Sequence, residues 1–223
     1  MKEIVAVLNL RSPDFPAILS KATEGAGFSR FWAIGDVKIL DTPLLGLLCS
    51  IRCPGRVIVQ TYDLARALRD AGVPVIGGFH SPMEKECLDF LLRGKQPVVV
   101  CPARSIANMR MPTSWRKASN EGRLLILSPF PPKHGRISAL LAEKRNRFVS
   151  LLADQFFVPY AALGSKTEQL CQDLLSAGKR VYTFESEKEG IIVKAGALAI
   201  TLDSLVSEIA ENLLAIETNK RFV

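Results

Sequence analysis

The sequence is poor in the side chains that most often hold metals or act as general bases. It contains two histidines, His80 and His134, and its five cysteines form no Cys-x-x-Cys pair. With so few partners available, a structural zinc site is not expected, and free cysteines behave as small buried apolar residues. We therefore expect reduced thiols, no metal and no cofactor. Neither histidine lies in a pattern typical of a nucleophilic triad, so no catalytic residue is predicted.

The sequence also lacks a long apolar run. No segment reaches the roughly 18 uninterrupted apolar residues that a transmembrane helix requires, and the N-terminal segment does not have the layout of a signal peptide. We expect a cytoplasmic protein with no membrane partner. A chain of 223 residues is long enough for one α/β domain with a short appendage.

Positive charge is concentrated in one segment of the chain. Between Arg104 and Arg147 there are ten Lys or Arg residues against two acidic ones, whereas the rest of the chain carries 19 basic and 20 acidic residues. The net charge of +7 therefore comes from this segment alone. Such a local excess is typical of a protein that binds a polyanion or a nucleotide.

Between Leu44 and Phe184, short apolar runs alternate with stretches of helical periodicity, a pattern typical of a parallel sheet flanked by helices. The predicted strands are Leu44–Cys49, Val73–Ile76, Pro97–Cys101, Leu124–Leu127, Gln155–Tyr160 and Arg180–Phe184. The predicted helices lie near Val57–Asp70, Pro82–Leu92, Ser114–Asn120, Ala139–Ala153 and Lys166–Ala177. We therefore predict an α/β fold with a doubly wound, mostly parallel, Rossmann-like sheet and helices on both faces.

Both ends of the chain are predicted to be accessory to this domain. Residues 1–40 are too few for a large core of their own and should pack onto the sheet as an N-terminal extension. The main domain is expected over residues 41–216, with Gly190–Lys194 as a short strand and Leu202–Ala215 as an amphipathic helix. Residues 217–223 are predicted to form a flexible tail.

The segment Lys144–Arg147 places charged side chains where an apolar helix stripe should continue. Leu141 and Phe148 lie on this stripe, with Lys144 and Arg145 in the step between them. Arginine favours bidentate contacts with phosphate, and a helix that begins near Glu143 would add its free N–H groups at the same place. We predict an anion site here. A solvated helix face remains the alternative.

Two strand-to-helix turns share the same chemistry. In Gly77–Glu84 and in Ala162–Glu168, a serine is followed three residues later by a glutamate, which is the spacing of a capping box. In an open parallel sheet such turns lie at the carboxyl ends of strands, where glycines let the backbone approach a phosphate. The turns are either phosphate sites or helix caps that bind nothing.

Eight short motifs follow one another along the chain, each weak alone but fairly specific in order and spacing. They are Phe15–Leu19, Phe31–Asp36, Leu44–Arg52, Val75–Gly78, Leu127–Pro132, Arg145–Arg147, Gly164–Thr167 and Gly178–Val181. In this order they resemble the DprA/Smf family of DNA-processing proteins over roughly residues 12–190. The chain looks like a divergent or minimal member.

The resemblance implies an extended Rossmann-like fold that binds single-stranded DNA. It also implies a role in loading a RecA-type recombinase onto DNA, notably during natural transformation, and it allows a homodimer. By position, Ser50 and Arg52 match the family's phosphate-contacting turn, and Arg145 and Arg147 match its Arg-Asn-Arg motif. Gly164–Thr167 includes the match to its later Gly-Ser turn.

The family's second turn is altered in this chain. Its usual arginine has become Ser81 and its aspartate has become Glu84, whereas Phe79 and His80 could offer a base a stacking surface. The predicted nucleic-acid or phosphate-binding residues are Ser50, Arg52, Gly77, Gly78, Phe79, His80, Ser81, Lys144, Arg145, Asn146, Arg147, Gly164, Ser165, Lys166 and Thr167.

Two other functions remain open at this point. LOG-type phosphoribohydrolases, which also have a Rossmann-like fold, carry a Pro-Gly-Gly-x-Gly-Thr-x-x-Glu turn that supplies a catalytic glutamate. The corresponding turn here, Ala162–Glu168, keeps a Gly-Ser and the glutamate but not the glycine pair. A nucleoside monophosphate hydrolase and a nucleotide-binding sensor without chemistry are therefore alternatives to a DNA-binding protein.

Overall fold

The protein is described here from a computed structural model. The structure describes residues 4–12 and 15–221, and the side chains of residues 21, 25, 26, 213, 214 and 217–221 lie outside that description. Within the described residues, no helix combines the length and the apolar character needed to cross a bilayer.

Nine strands form a single sheet in the order β1-β2-β6-β5-β4-β3-β7-β8-β9. The strands are β1 (Ala6–Leu8), β2 (Phe31–Ile34), β3 (Leu45–Leu47), β4 (Val75–Gly77), β5 (Val98–Val100), β6 (Leu124–Ser128), β7 (Gln155–Phe157), β8 (Arg180–Phe184) and β9 (Leu198–Ile200). The seven strands from β3 to β9 are parallel, and β1 and β2 join them antiparallel through β6. The predicted doubly wound, mostly parallel, Rossmann-like sheet is confirmed.

Helices cover both faces of this sheet. They are α1 (Ala17–Ala26), α2 (Gly55–Asp70), α3 (Pro82–Leu91), α4 (Thr113–Asn120), α5 (Ala139–Leu152), α6 (Lys166–Ser176), α7 (Ile191–Lys194) and α8 (Leu202–Arg221). One core layer lies between the sheet and α2, α3, α4 and α8, and the other lies between the sheet and α1, α5, α6 and α7. Neighbouring strand residues alternate between the layers, as Val75 and Ile76 do.

The N-terminal segment extends the sheet and supports α5. Strand β2 pairs antiparallel with β6, and β1 pairs with β2 at the edge. Phe31 of β2 stacks on Phe148 of α5 with ring centroids 5.5 Å apart, and Phe28 meets the same ring edge-on. These contacts hold α5 against the sheet from the side opposite its exposed face. The proposed domain boundaries at residues 40 and 216 stay predictions.

The segment Gly190–Lys194 was expected to be a strand, and this is wrong. Ile191–Lys194 forms the short helix α7, with Gly190 as its N-cap. An apolar run of three β-branched residues is too short for its periodicity to decide between helix and strand. Ile192 is buried in the core layer that contains α6. The strand that pairs with β8 is β9, the next apolar run along the chain.

The C-terminal helix was predicted to end at Ala215 and to be followed by a flexible tail. The backbone of α8 is helical to Arg221, so residues 217–221 continue the helix. Residues 222 and 223 lie outside the described residues.

Candidate nucleic-acid interface

A crevice opens where the strand order reverses. From β3, the chain continues to β4, β5 and β6 on one side of the sheet, whereas β7, β8 and β9 lie on the other side. In open α/β sheets, ligands bind outside the carboxyl ends of strands at such a point. A cavity of about 760 Å³ lies there, between the loops that follow β3 and β4 and the facing sides of α5 and α6.

Arg145 is the most buried charge of this crevice. Its side chain points from α5 toward the sheet, with the residue only 6% exposed, and Nη1 donates a hydrogen bond of 3.1 Å to the Cys101 carbonyl after β5. Nε donates to Oδ1 of Asn146 over 2.7 Å. Burial lowers the pKa of the Arg145 guanidinium, and the negative charge of Glu84 opposes that shift. Arg145 therefore joins α5 to the carboxyl ends of the central strands.

Gly78 is required by the position of this guanidinium. A Cβ atom built on Gly78 would overlap Nη1 and Cζ of Arg145, so the Arg145 side chain lies directly on the Gly78 backbone. Gly77 belongs to β4, and a Cβ there would come within 3.1 Å of the Leu47 carbonyl oxygen. Gly78 therefore leaves room for the Arg145 guanidinium, and Gly77 lets β4 lie close to β3. Their predicted role in phosphate binding stays a prediction.

The residues after the glycine pair divide into a buried and an exposed one. Phe79 is 5% exposed and packs into the core with a φ of 44°, which is unusual for a residue other than glycine. Its ring therefore has no accessible face for a base, and the predicted stacking role of Phe79 is wrong. His80 is exposed and lines the cavity.

The turn between β4 and α3 is a complete capping box. Ser81 Oγ accepts the Glu84 backbone N–H at 3.2 Å, and the Glu84 carboxylate accepts the N–H groups of His80 and Ser81 at 2.9 and 3.0 Å. These N–H groups are the ones that a phosphate would need at this helix start. Because a carboxylate of the chain already accepts these hydrogen bonds, the turn acts as a helix cap, and its phosphate-binding role stays a prediction.

The turn between β7 and α6 is closed in a similar way. Ser165 Oγ accepts the Glu168 N–H at 3.1 Å, and the Glu168 carboxylate accepts the N–H of Gly164 at 2.5 Å. Glu168 is the residue that a LOG-type hydrolase would use as its catalytic carboxylate. Here that carboxylate is engaged in capping the helix.

Removing the first cap gives a direct test of this interpretation. We expect Ser81→Ala to lower the free energy of unfolding by about 1 kcal/mol, because the N–H of Glu84 loses its acceptor. Urea unfolding followed by circular dichroism measures this change. Ser207→Ala, at an exposed serine inside α8, is the matched control and should change the free energy of unfolding by about 0.5 kcal/mol or less. A loss at Ser207 as large as that at Ser81 would show that the cap does not account for the effect.

Ser50 ties the loop after β3 to the loop after β7. Its Oγ accepts the Ala162 N–H at 3.1 Å and lies 3.3 Å from Ser165 Oγ. Because Ser50 is buried, its hydroxyl holds the two loops of the crevice together. Arg52, two residues further on, is exposed at the rim.

The exposed side of α5 carries the accessible charges. Lys144 and Arg147 are exposed and Asn146 is half-buried, whereas Arg145 lies on the opposite, inward side. The helix begins at Ala139, as the predicted range Ala139–Ala153 has it, with Ser138 Oγ accepting the Leu141 N–H. The start near Glu143 that the anion-site argument required is therefore wrong. The free N–H groups of α5 are therefore a full turn away from Lys144–Arg147, and they do not add to an anion site there.

The structure brings about half of the predicted residues to one surface. The cavity is lined by His80, Ser81, Arg145, Asn146, Arg147, Lys166 and Thr167. Lys166 forms an ion pair of 2.6 Å with Glu143 across the mouth between α5 and α6. The other predicted residues surround this cavity: Ser50, Gly77, Gly78 and Phe79 are buried, Ser165 is half-buried, and Arg52, Lys144 and Gly164 are exposed.

The sequence interpretation missed the apolar lining of the cavity. Leu48, Leu151 and Leu170 contribute to the lining, and Ile51 at the rim is 77% exposed. Leu151 and Leu170 continue the apolar stripes of α5 and α6, so their period alone does not separate cavity lining from core. An exposed isoleucine in a loop has no sequence signal of its own.

The basic segment lies largely at the same edge of the sheet. Arg104 and Arg110 belong to the loop after β5, and Lys133 and Arg136 belong to the loop after β6. The two loops are joined by a hydrogen bond from the Ser105 N–H to the His134 carbonyl. The carboxyl edge of the sheet therefore has a positive rim that continues to α5. Among the described residues, no group of three histidine, cysteine or acidic side chains is placed to hold a metal ion.

The family model of DNA recombination-mediator protein A matches residues 6–212, nearly the whole chain. This chain belongs to that family. No curated protein sequence matches it. The match identifies the family because it covers nearly all of the sequence. Membership makes this a DNA-processing protein connected with recombination.

Several solved structures share this fold. DNA processing protein A from Streptococcus pneumoniae is 14% identical, with a TM-score of 0.72 over 91% of this chain and 74% of that chain. DNA processing protein A from Helicobacter pylori is 18% identical, with a TM-score of 0.73 over 95% of this chain and 99% of that chain, and is described by its single-stranded DNA binding mode. The molybdenum cofactor binding protein from Rippkaea orientalis is 11% identical, with a TM-score of 0.52 over 77% and 98% of the two chains.

Proposed function

We propose that this protein binds single-stranded DNA along the carboxyl edge of its sheet and thereby assists DNA processing or recombinase loading. The observation that carries the proposal is the positive rim formed by α5 and by the loops after β5 and β6, beside a cavity at the point where the strand order reverses. Cations along such a rim attract a phosphodiester chain, which then releases its counterions. The family and the single-stranded DNA binding of its Helicobacter pylori member support the same ligand.

The shape of the crevice favours a single strand over a duplex. Its lining combines exposed cations with apolar side chains such as Leu151 and Leu170, and His80 offers an accessible ring at the rim. Single-strand binding sites need this combination, because the phosphates follow a basic groove while the bases rest on apolar or aromatic surfaces. A base-paired duplex would keep its bases away from this lining.

The residues divide into contacts and supports. We propose that Arg52, Lys144, Arg147 and Lys166 contact phosphates, since their side chains are exposed at the crevice. Arg145, with its buried guanidinium against the Gly78 backbone, acts as a positioning residue for α5. Contact with a RecA-type recombinase and formation of a homodimer stay predictions from the family resemblance.

Salt dependence of DNA affinity tests the proposal. We expect Lys144→Ala with Arg147→Ala to weaken binding of a labelled oligothymidine by about 20-fold at 0.1 M salt and to have almost no effect near 1 M. For single strands each lost phosphate contact removes about 0.7 from the slope of log affinity against log salt, so the slope should become shallower by about 1.4. Fluorescence anisotropy over a salt series measures both quantities.

The matched control removes two cations from the opposite edge of the sheet. Lys95 precedes β5 and Lys194 precedes β9, and both are exposed. Lys95→Ala with Lys194→Ala changes the net charge equally, so its slope should stay near that of the unchanged protein. Equal losses in the two double variants would mean that net charge alone drives binding, and the proposed interface would then be abandoned.

A further inference from the structure

A second, smaller cavity lies at the same edge of the sheet. It has a volume of about 180 Å³ and is formed at the ends of β7 and β8, where the loop after β7 approaches α7. Its walls include Tyr160, Leu163, Thr183 and Glu187. The loop after β7 separates this cavity from the α5–α6 crevice, since Lys166 and Thr167 at the start of α6, directly after that loop, line the crevice. A strand that crosses Gly164 and Ser165 would pass from one cavity to the other.

Thr183 brings a buried hydroxyl to this cavity. The residue is completely buried in β8, and among the described residues no hydrogen-bond partner is present for its Oγ1. An unsatisfied buried hydroxyl costs about 1–3 kcal/mol, so such groups in proteins nearly always have a partner. The neighbouring strand residues Val181, Tyr182 and Phe184 belong to the apolar core. A polar group that enters the cavity would supply the partner that this hydroxyl lacks among the described residues.

Glu187 is a second polar residue in the wall of this cavity. Its side chain is 10% exposed, and Arg56 Nη2 approaches its Oε1 to 2.6 Å. The angle of that approach does not make a hydrogen bond, and within the described residues Oε1 has no hydrogen-bond partner. We interpret the contact as an ion pair that keeps the carboxylate charged while leaving Oε1 able to accept. The cavity thus combines an anionic acceptor with a hydroxyl that both donates and accepts.

These groups select a small planar ligand with adjacent N–H donors. Guanine offers N1–H and the 2-amino group side by side for a carboxylate, and its O6 accepts from a hydroxyl. Thymine has no amino group, and its only ring N–H lies between two carbonyl oxygens that a carboxylate repels. Tyr160 supplies an aromatic wall, and Leu163, which is 82% exposed, lies at the mouth where it could contact the ring.

We propose that this second cavity binds a guanine base of the single strand. The proposal rests on the DNA-binding function above and adds a base preference to it. Glu187 accepts from N1–H and the 2-amino group, Thr183 donates to O6, and the backbone of the strand stays on the positive rim. The volume of the cavity suits one base and excludes a whole nucleotide, so the sugar remains outside.

A single substitution in the oligonucleotide tests the base preference. We expect oligothymidine with one central guanine to bind about tenfold tighter than oligothymidine itself, and an inosine, which lacks the 2-amino group, to lose most of this gain. Glu187→Gln and, separately, Thr183→Val should abolish the preference while leaving oligothymidine affinity unchanged. Glu189→Gln, an exposed charge change two residues away, is the control and should keep it.

Free guanosine provides an arm that does not depend on DNA binding. It should raise the melting temperature of the unchanged protein and not that of Glu187→Gln. If oligothymidine binds but guanine adds nothing, or if Glu187→Gln keeps the gain, the guanine site does not exist and the cavity holds only water. If no oligonucleotide binds while guanosine stabilises the protein, the DNA-binding function fails and the guanine site stands. Absence of both effects overturns both proposals.

Discussion

Arg145→Ala is expected to lower the free energy of unfolding by about 3 kcal/mol. The substitution removes a charge-assisted hydrogen bond to the Cys101 carbonyl, which is worth about 1.5–3 kcal/mol. It also leaves a space above Gly78, where the guanidinium lies, and removes the positive charge next to Glu84. These losses act on one buried residue and exceed the effect of an ordinary surface substitution.

Urea denaturation of Arg145→Ala and Arg147→Ala measures the difference. Arg147 is two residues away on the exposed side of the same helix, so it is the matched control. We expect its replacement to change the free energy of unfolding by about 0.5 kcal/mol or less. Equal stability of the two variants would show that the contact between Arg145 and the sheet does not support the fold.

This difference changes how DNA binding has to be tested. The Arg-Asn-Arg motif by itself suggests replacing Arg145 and Arg147 together. In the structure, loss of Arg145 disturbs the support of α5, so weaker DNA binding would not identify a phosphate contact. Replacing Lys144 with Arg147 avoids the problem, since both side chains are exposed.

Gly78→Ala is expected to destabilise the protein by about 2 kcal/mol or more. The new methyl group would occupy the position of the Arg145 guanidinium, so this side chain has to leave its hydrogen bond with Cys101. Overpacking at a closely packed site typically costs about 1–3 kcal/mol, and the displaced charge adds to it. Gly55→Ala, at an exposed glycine whose Cβ would meet nothing within 4 Å, is the control and should be neutral or slightly stabilising.

A double-mutant cycle decides whether the two residues act together. In the presence of Arg145→Ala, the methyl group of Gly78→Ala enters space that the guanidinium has vacated. We therefore expect the double variant to be more stable than the sum of the single losses by about 1 kcal/mol or more. Strict additivity of the two free-energy changes would contradict the direct packing of Arg145 on Gly78.

Most of the fold could be predicted from hydrophobic patterning. The six predicted strands from Leu44 to Phe184 all exist, and β8 has the predicted bounds Arg180–Phe184. Their apolar runs are short and continuous because parallel strands are buried on both faces. The five predicted helices between them also exist, since each has a stripe of apolar residues with helical period.

The sequence-based predictions are wrong or incomplete where the pairing of strands, and not the local sequence pattern, decides the structure. Phe31–Ile34 and Ala6–Leu8 are strands only because β6 offers a free edge to β2. The short runs that begin at Ile191 and at Leu198 are both mainly apolar, yet the first forms a helix and the second forms the strand that pairs with β8. Patterns of three or four residues do not contain enough periods to distinguish these outcomes.

The location of the candidate site could be predicted from the sequence, but the role of each of its residues could not. The strand order brings the loops after β3, β4 and β7 together with α5 and α6, as the motifs suggested. Within that place, the glycine pair admits an arginine, Phe79 packs into the core, and Glu84 and Glu168 satisfy the backbone N–H groups. Such roles depend on the direction of each side chain, which the motif letters do not contain.

The sequence by itself determined the strands and helices between Leu44 and Phe184, the concentration of positive charge before and within α5, and, through the order of its short motifs, the resemblance to a family. The first two follow from local composition and periodicity, which are properties of neighbouring residues. Only the tertiary structure decided that Arg145 faces inward onto Gly78 while Lys144 and Arg147 face solvent, and that Thr183 and Glu187 share a cavity. These relations join residues far apart in the chain, so they arise only when the sheet and its helices pack against each other.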